Sequence, residues 1–346
     1  MSLHLWLACS AFILPTVATG GAVCETCYLF RSDVNNTRLS VWKNLQYPQK
    51  LADLVDLGFV DTRNAYVLFY FAWNFGPYQA KRYRAALDLV PRAARQNFLW
   101  LSNSLPEYQL MRATFPDSHV LFNPYNALLN EHSFTLPSDE RLRLPVPAEP
   151  LCVINSQGEP WKNHILSRHI PRKIFLTYNR SPLVDLEALK PLAIYEQVDE
   201  VEVQKQLHRA DYGAIFSVEE GNCRASNEYL MAGLPVLSTY SIGGRDVFYD
   251  EDNSVLCNAT TEAVTAGHQR MKVLLSRVNR KMIRERAVAK MLSFREVLAK
   301  HIATWFARAG VRDDAHEMLQ KQVYKGRYGE TFLNAWGVNK LTGEKI

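Results

Sequence analysis

No stretch of the 346-residue chain reaches the roughly 18 to 20 consecutive apolar residues that a membrane-spanning helix needs. Cysteine is sparse, with six scattered at Cys9, Cys24, Cys27, Cys152, Cys223 and Cys257. That spacing in a chain this long excludes a disulfide framework. Cys24-x-x-Cys27 stands without the second pair of ligands a zinc site requires, so the six read as ordinary buried thiols. No G-x-G-x-x-G opens a helix after the first apolar run, which argues against a dinucleotide oxidoreductase. No Walker A lysine motif is present, which argues against an NTPase. Internal repeats and low-complexity tracts are missing as well. The charge excess is small: 40 Lys and Arg against 35 Asp and Glu leave a net +5. Aromatics are not interleaved with the basic run Arg277–Arg286, so no nucleic acid partner is expected. A mild positive balance suits an acidic small ligand or an anionic membrane surface.

What the sequence has is alternation. Hydrophobic residues make up 47% and charged residues 22%, as in ordinary globular proteins, and the length suits two domains with a core each. Buried-strand runs lie at Leu3–Cys9, Tyr66–Phe71, Phe98–Leu101 and Val120–Phe122, with helix-like stretches at Pro77–Leu89 and Leu105–Arg112. A second set follows at Leu151–Asn155, Lys173–Thr177, Gly213–Ser217 and Pro235–Ser238, with helices at Trp161–Arg168, Val201–Ala210 and Ala225–Ala232. Apolar runs separated by helices predict βαβ units and parallel sheets covered on both faces. From Val278 to Phe306 apolar residues recur every three or four positions, which predicts one long amphipathic helix or two in succession. The opening stretch reads as strand, loop and a Gly20-Gly21 turn, not a leader: it has no Lys or Arg near its start and is interrupted by Ser10 and Pro15. The segment Leu136–Pro150 carries four prolines and a charge cluster and reads as a linker.

The expectation is therefore an α/β chain of two doubly wound, Rossmann-like domains facing a cleft: residues 1–148, residues 149–310, and a helical tail over 311–346 that packs back on the first domain. Ligands of open α/β sheets bind at the carboxyl ends of strands. Glu220 follows one such strand, and Glu228 lies a turn into the next helix. Backbone N–H groups near Asn222–Ala225 at that helix start can meet an anion. A carboxylate can accept both hydroxyls of a diol. A plain helix with acids near its positive end would look the same. Gly243-Gly244, after the next strand, permits close backbone approach or a simple turn. Lys162, after the first strand of the second half, can neutralise a diphosphate or merely be solvated.

The order of these parts resembles a known family. In FSVEEGNCRASNEYLMAGLPVLSTYSIGGRDVFYDEDNSVL, two glutamates with seven residues between them precede Gly-Leu-Pro-Val and a Gly-Gly pair. This resembles the donor-binding domain of GT-B glycosyltransferases of family four. INSQGEPWKNHIL is similar to the family's basic segment after the first strand of that domain. The match spans about Leu151 to Cys257, and Gly20-Gly21 resembles the family's first glycine loop.

The resemblance implies a retaining, metal-independent transferase with no cofactor. It would move a sugar from a nucleotide diphosphate sugar to a saccharide or lipid-linked glycan acceptor. Glu228 would hold the ribose, Glu220 the transferred sugar and Lys162 the leaving diphosphate, with Gly243 and Gly244 lining the site. A histidine near the reacting sugar is common in the family's first domain, and His132 is the candidate by location. Two positions depart from the pattern. Gln157 stands where the family carries an Arg, and a neutral amide cannot replace a bidentate guanidinium on phosphate. Asn222-Cys223-Arg224 replaces a Gly- and Pro-containing loop, so Arg224 is the expected source of the missing cation.

Asp250-x-Asp252 is the one rival metal clamp, and it reads as a surface turn. Lys81, Arg82, Arg84, Arg92 and Arg95 suit a peripheral membrane contact or a solvated helix face. Placement in the cytoplasm, at the inner face of a membrane where such a contact forms, is the accompanying expectation. Two alternatives share the frame: a nucleotide-sugar epimerase or hydrolase, and a non-catalytic nucleotide-sugar-binding partner subunit.

Overall fold

The computed structural model describes residues 26–31, 38–43 and 65–325, except 72, 140, 141, 143, 144, 146, 179 and 222. The expected first strand and the Gly20-Gly21 loop lie outside these residues.

The first sheet has strands β1 (Thr26–Arg31), β2 (Arg38–Lys43), β3 (Ala65–Tyr70), β4 (Phe98–Ser102) and β5 (His119–Phe122), in that spatial order. β1 runs antiparallel to β2, and the rest pair in parallel. β4 is Phe-Leu-Trp-Leu-Ser, buried throughout because helices cover both faces. On one face Trp100 stacks between Phe69 and Phe115, with centroids 4.1 and 4.0 Å away. Helices α1 (Pro77–Leu87) and α2 (Leu105–Thr114) follow β3 and β4. Among the described residues this sheet runs in sequential order.

The second sheet holds β6 (Cys152–Asn155), β7 (Lys173–Thr177), β8 (Ala193–Glu196), β9 (Tyr212–Ile215), β11 (Val236–Thr239) and β13 (Ser254–Cys257). Their order is β13-β11-β9-β6-β7-β8, all parallel. The chain starts in the middle, winds outward through β7 and β8, then returns to β9 and winds the other way. The winding direction reverses between β6 and β9, where open α/β sheets leave a crevice for ligand. Helices α3 (Glu200–Arg209), α4 (Arg224–Met231) and α5 (Thr261–Leu275) belong to this half, and β10 (Glu219–Glu220) with β12 (Ile242–Gly243) forms a separate two-residue parallel pair.

Trp161–Arg168, expected as a helix, is two 3₁₀ turns at Pro160–Lys162 and His164–Ser167. Asn163 between them sits at φ 54°, a left-handed conformation that breaks an α-helix. The long periodic segment is one 30-residue helix, α6 (Arg280–Ala309), capped by the Asn279 side chain and by Gly310 at φ 75°. Its residues Ile283, Ala287 and Met291 pack into the core of the second sheet. Leu298, Ile302, Trp305 and Phe306 pack into that of the first. α7 (Ala315–Lys325) adds Ala315, Met318 and Leu319 to the first core. Among the described residues, no helix is long and apolar enough to cross a membrane.

Candidate active site

The loops after β6, β9 and β11 converge at the reversal point. Lys162, in the 3₁₀ turn after β6, is buried, and its Nζ lies 2.5 Å from Glu220 Oε1. The same oxygen accepts from Ser217 Oγ at 2.7 Å. Glu220 Oε2 has no partner among the described residues. The carboxylate is thus clamped by one oxygen and offers the other. Behind it lies Arg245, completely buried, which donates to Ser217 Oγ at 2.7 Å and to the Thr239 carbonyl at 2.6 Å. A guanidinium in this position touches no carboxylate and reaches Glu220 through one hydroxyl. The Lys162 ammonium also lies 3.9 Å from the Trp161 ring centroid, a cation–π contact.

Glu228 is held differently. Asn155 Nδ2, at the end of β6, donates to its Oε2 at 2.9 Å, and Arg224 stands 3.2 Å from its Oε1. Burial raises its pKa above the usual carboxylate range, with Arg224 and Asn155 opposing. Helix α4 is fixed by the neighbouring residue. The Tyr229 ring lies flat on Gly213 of β9, where an added Cβ would come within 2.2 Å, and its hydroxyl accepts the Asn155 N–H at 2.6 Å. The helix starts at Cys223, whose side chain makes no capping bond, and the Ser226 N–H donates to the Cys223 carbonyl at 3.1 Å. The Cys223 thiol is buried and pushed up to about 11, hence neutral.

The glycine pair serves protein backbone first. Gly243 has φ 110°, and a Cβ there would meet the Glu220 carbonyl oxygen at 1.5 Å. A Cβ on Gly244 would meet the Asn103 carbonyl oxygen at 2.1 Å. The close approach expected toward a ligand is thus already used, on one side by Glu220 and on the other by the first sheet.

That first-sheet rim is tightly tied. Asn103 does not cap α2, a task done by Ser104, but spans three loops. It donates to the Phe71 carbonyl at 2.8 Å and accepts from the Tyr125 N–H at 3.1 Å. Glu107 accepts N–H bonds from Phe75 (2.9 Å) and Asn103 (2.8 Å), and burial raises its pKa to about 7. Across the crevice Asn74 donates to Glu219 at 3.2 Å, and Asn126 donates to the Cys223 carbonyl at 3.1 Å.

The structure brings together Lys162, Glu220, Cys223, Arg224, Glu228, Gly243 and Gly244. Gln157 is half-buried on the same loop as Lys162, where the neutral His164 donates from Nε2 to its carbonyl at 2.8 Å. Arg224 is drawn to Glu228 and to Glu200, 3.7 Å away, and not to the Lys162–Glu220 pair. His132 is a surface residue beside Glu131, whose carboxylate is bound by Arg295 of α6, and neither Lys162, Glu220 nor Glu228 contacts it. Gly20, Gly21 and Asn222 lie outside the described residues. Asp250 and Asp252 form a capped turn, with Asp252 paired to Arg286 at 2.7 Å. Sequence reading missed Arg245 and Ser217. A basic residue directly after a strand-end Gly-Gly pair was the available signal for Arg245.

Compared with solved structures, the chain resembles a sucrose-phosphate synthase from Thermosynechococcus elongatus at TM-score 0.54 and 16% identity, over 75% of this chain and 71% of that one. It resembles a glycosyltransferase from Rickettsia africae at TM-score 0.53 and 15% identity, over 76% and 81%. HepE of Anabaena, solved with UDP, matches at TM-score 0.52 and 13% identity, over 74% and 76%. The chain has the GT-B fold. At these identities the likeness is one of fold. No family model matches the sequence, and no curated protein matches it. In the GT-B frame the crevice between the two sheets is where the Lys162–Glu220 pair and the start of α4 lie.

Proposed function

We propose that this GT-B chain is a glycosyltransferase that moves a sugar from a nucleotide diphosphate sugar to a hydroxyl of a saccharide or lipid-linked glycan, with retention of configuration. The observation that carries this reading is Glu220: one oxygen is locked by Lys162 and Ser217 and the other is open at the reversal point of the second sheet. The open oxygen suits a hydroxyl of the transferred sugar. Breaking the bond between the sugar and the diphosphate leaves charge on the diphosphate. Lys162 and the positive end of the α4 dipole are prepositioned to meet it. Glu228 takes the ribose diol once Arg224 has left its Oε1. Glu200 is the alternative partner that Arg224 already approaches. Released from Glu228, Arg224 supplies the cation that Gln157 lacks. The reading routes no step through a metal, so chelator should leave turnover unchanged. Stimulation by Mn²⁺ that chelation reverses would return Asp250 and Asp252 to consideration.

A thermal-shift panel of nucleotide diphosphates and nucleotide sugars tests the donor site, since a ligand at a hundredfold its Kd stabilises by about 2.7 kcal/mol. No response to any member refutes the reading. NMR of the product's anomeric proton tests retention. One observation favours a second reading, a binding subunit without turnover: Gln157 carries no charge where a leaving diphosphate would need a cation. That protein would respond in the panel and form no product with any acceptor.

A further inference from the structure

The mechanism leaves two large aromatic side chains beside the site without a task. Trp73, in the loop after β3, is 56% exposed although its neighbour Phe75 is buried at 1%. Its ring lies 5.4 Å from that of Trp161, tilted by 57°. Trp161 carries the Lys162 ammonium on its ring, and Lys162 holds Glu220. The open tryptophan is therefore joined to the reactive carboxylate by three successive contacts. It comes from the first sheet, while every group assigned to the donor comes from the second. Its position is not that of a loose loop. The segment is fixed by Glu107 on the Phe75 N–H, by Asn103 on the Phe71 carbonyl, and by Asn74 on Glu219.

We propose that Trp73, backed by Trp161, is the platform on which a neutral sugar ring of the acceptor stacks; this rests on the transferase reading above. An indole offers a flat apolar face to the C–H face of a pyranose and keeps a polar edge for hydroxyls. An indole half in water, in a loop tied at three points, is a preformed face that a ligand can cover. The neighbours select the charge of the occupant. Glu219 is an exposed carboxylate beside the platform, linked to it through Asn74. An acidic rim accepts hydroxyl hydrogen bonds and repels phosphate. The acceptor class is thus a neutral saccharide, and polyol phosphates and acidic glycans are disfavoured. The nucleobase is not the occupant, because the ribose carboxylate Glu228 is held by Asn155 and Arg224, while the platform contacts the Lys162–Glu220 end of the site.

The full chain, its Trp73→Ala and Trp73→Phe variants, and a Glu219→Gln variant are applied without donor to an array of neutral, phosphorylated and carboxylated glycans. The expected result is binding to neutral glycans, weakened about tenfold or more by Trp73→Ala, as for truncation of an anchoring tryptophan, and largely kept by Trp73→Phe. Glu219→Gln should relax the discrimination against anionic glycans. Far-UV circular dichroism and the melting temperature of each variant show whether its fold is intact. The inference is overturned if the wild type binds no neutral glycan, if it prefers anionic ones, or if folded Trp73→Ala keeps the wild-type pattern. Because no nucleotide is present, these outcomes are independent of the panel that tests the donor site.

Discussion

Lys162 and Glu220 form a buried pair whose two halves are unequal in support, and that inequality sets what each substitution should do. Lys162→Met keeps an unbranched apolar stem one atom shorter and leaves the Glu220 carboxylate buried with Ser217 as its remaining donor. Removing one member of a buried ion pair costs roughly 3 to 5 kcal/mol. Arg245, one hydroxyl further back, still faces the carboxylate, so the lower end, about 3 kcal/mol, applies here. Unfolding entropy of about 2.1 cal/mol/K per residue gives about 0.7 kcal/mol/K for 346 residues. The melting temperature should then fall by about 4 °C. Glu220→Gln strands the ammonium on Trp161, with a similar loss. The double variant removes both charges and should cost about 3 to 4 kcal/mol, little more than one single variant and well short of additive losses, a coupling of about 2 to 3 kcal/mol. Turnover should not recover: loss of the fixed charge at a leaving group lowers kcat by about 10² to 10³ in each single variant and in the double. Scanning fluorimetry and donor turnover on the four proteins decide it. Additive stability losses would refute the pairing, and a double variant with restored turnover would refute the assigned chemistry.

Glu107 ties folding to pH. Its pKa is about 7 folded against 4.5 in the unfolded chain, so the folded state binds the extra proton between these values. Stability from this group is highest below about 4.5 and declines until about pH 7, by about 3 kcal/mol in all. In Glu107→Gln that decline should be missing when urea stability at pH 5 and pH 7.5 is compared; an equal decline in both proteins rules the group out. Gly244→Ala must push the Asn103 carbonyl away from a Cβ that would sit 2.1 Å from it. Separation of the two rims should lower the melting temperature and weaken nucleotide binding together, and an unchanged nucleotide response would contradict it. Arg224→Ala should uncover Glu228 Oε1 yet remove the proposed phosphate cation. Affinity for the nucleoside alone should hold or rise while affinity for the diphosphate falls by about tenfold.

The second half of the fold was the more legible. Val153, Ile154, Phe175 and Leu176 sit in β6 and β7, strands covered on both faces, and buried parallel strands show as unbroken apolar runs. β8, Ala-Ile-Tyr-Glu, is an edge strand with one partner and too few apolar residues to stand out. The Pro160–Ser167 segment looked helical because its apolar spacing fits, but spacing carries no information on the left-handed backbone of Asn163. At the site, Glu220, Glu228 and Lys162 could be named from their order along the chain. Arg245 had the Gly-Gly pair before it as a signal, but its link to Ser217 was not legible, because Ser217 lies 28 positions away and only sheet pairing brings β9 beside β11. Arg224 was readable as a cation, and its contact with Glu228 is an i,i+4 pair that the helix spacing allows, whereas the approach of Glu200 in α3 depends on the fold.

Helix α6 gives up Met291 to one core and Leu298 to the other, less than two turns apart, with Arg295 between them gripping the Glu131 carboxylate and the Ala127 carbonyl. Neither half can melt without tearing the same rod. Heat should therefore take the molecule apart in one cooperative step, its calorimetric and van't Hoff enthalpies equal, where unlinked domains would give two. The same sharing bears on motion. A rod of about 45 Å embedded at both ends resists sliding of one sheet past the other and allows them to pivot about its middle. Sliding of one sheet past the other is thus the motion this shared helix disfavours.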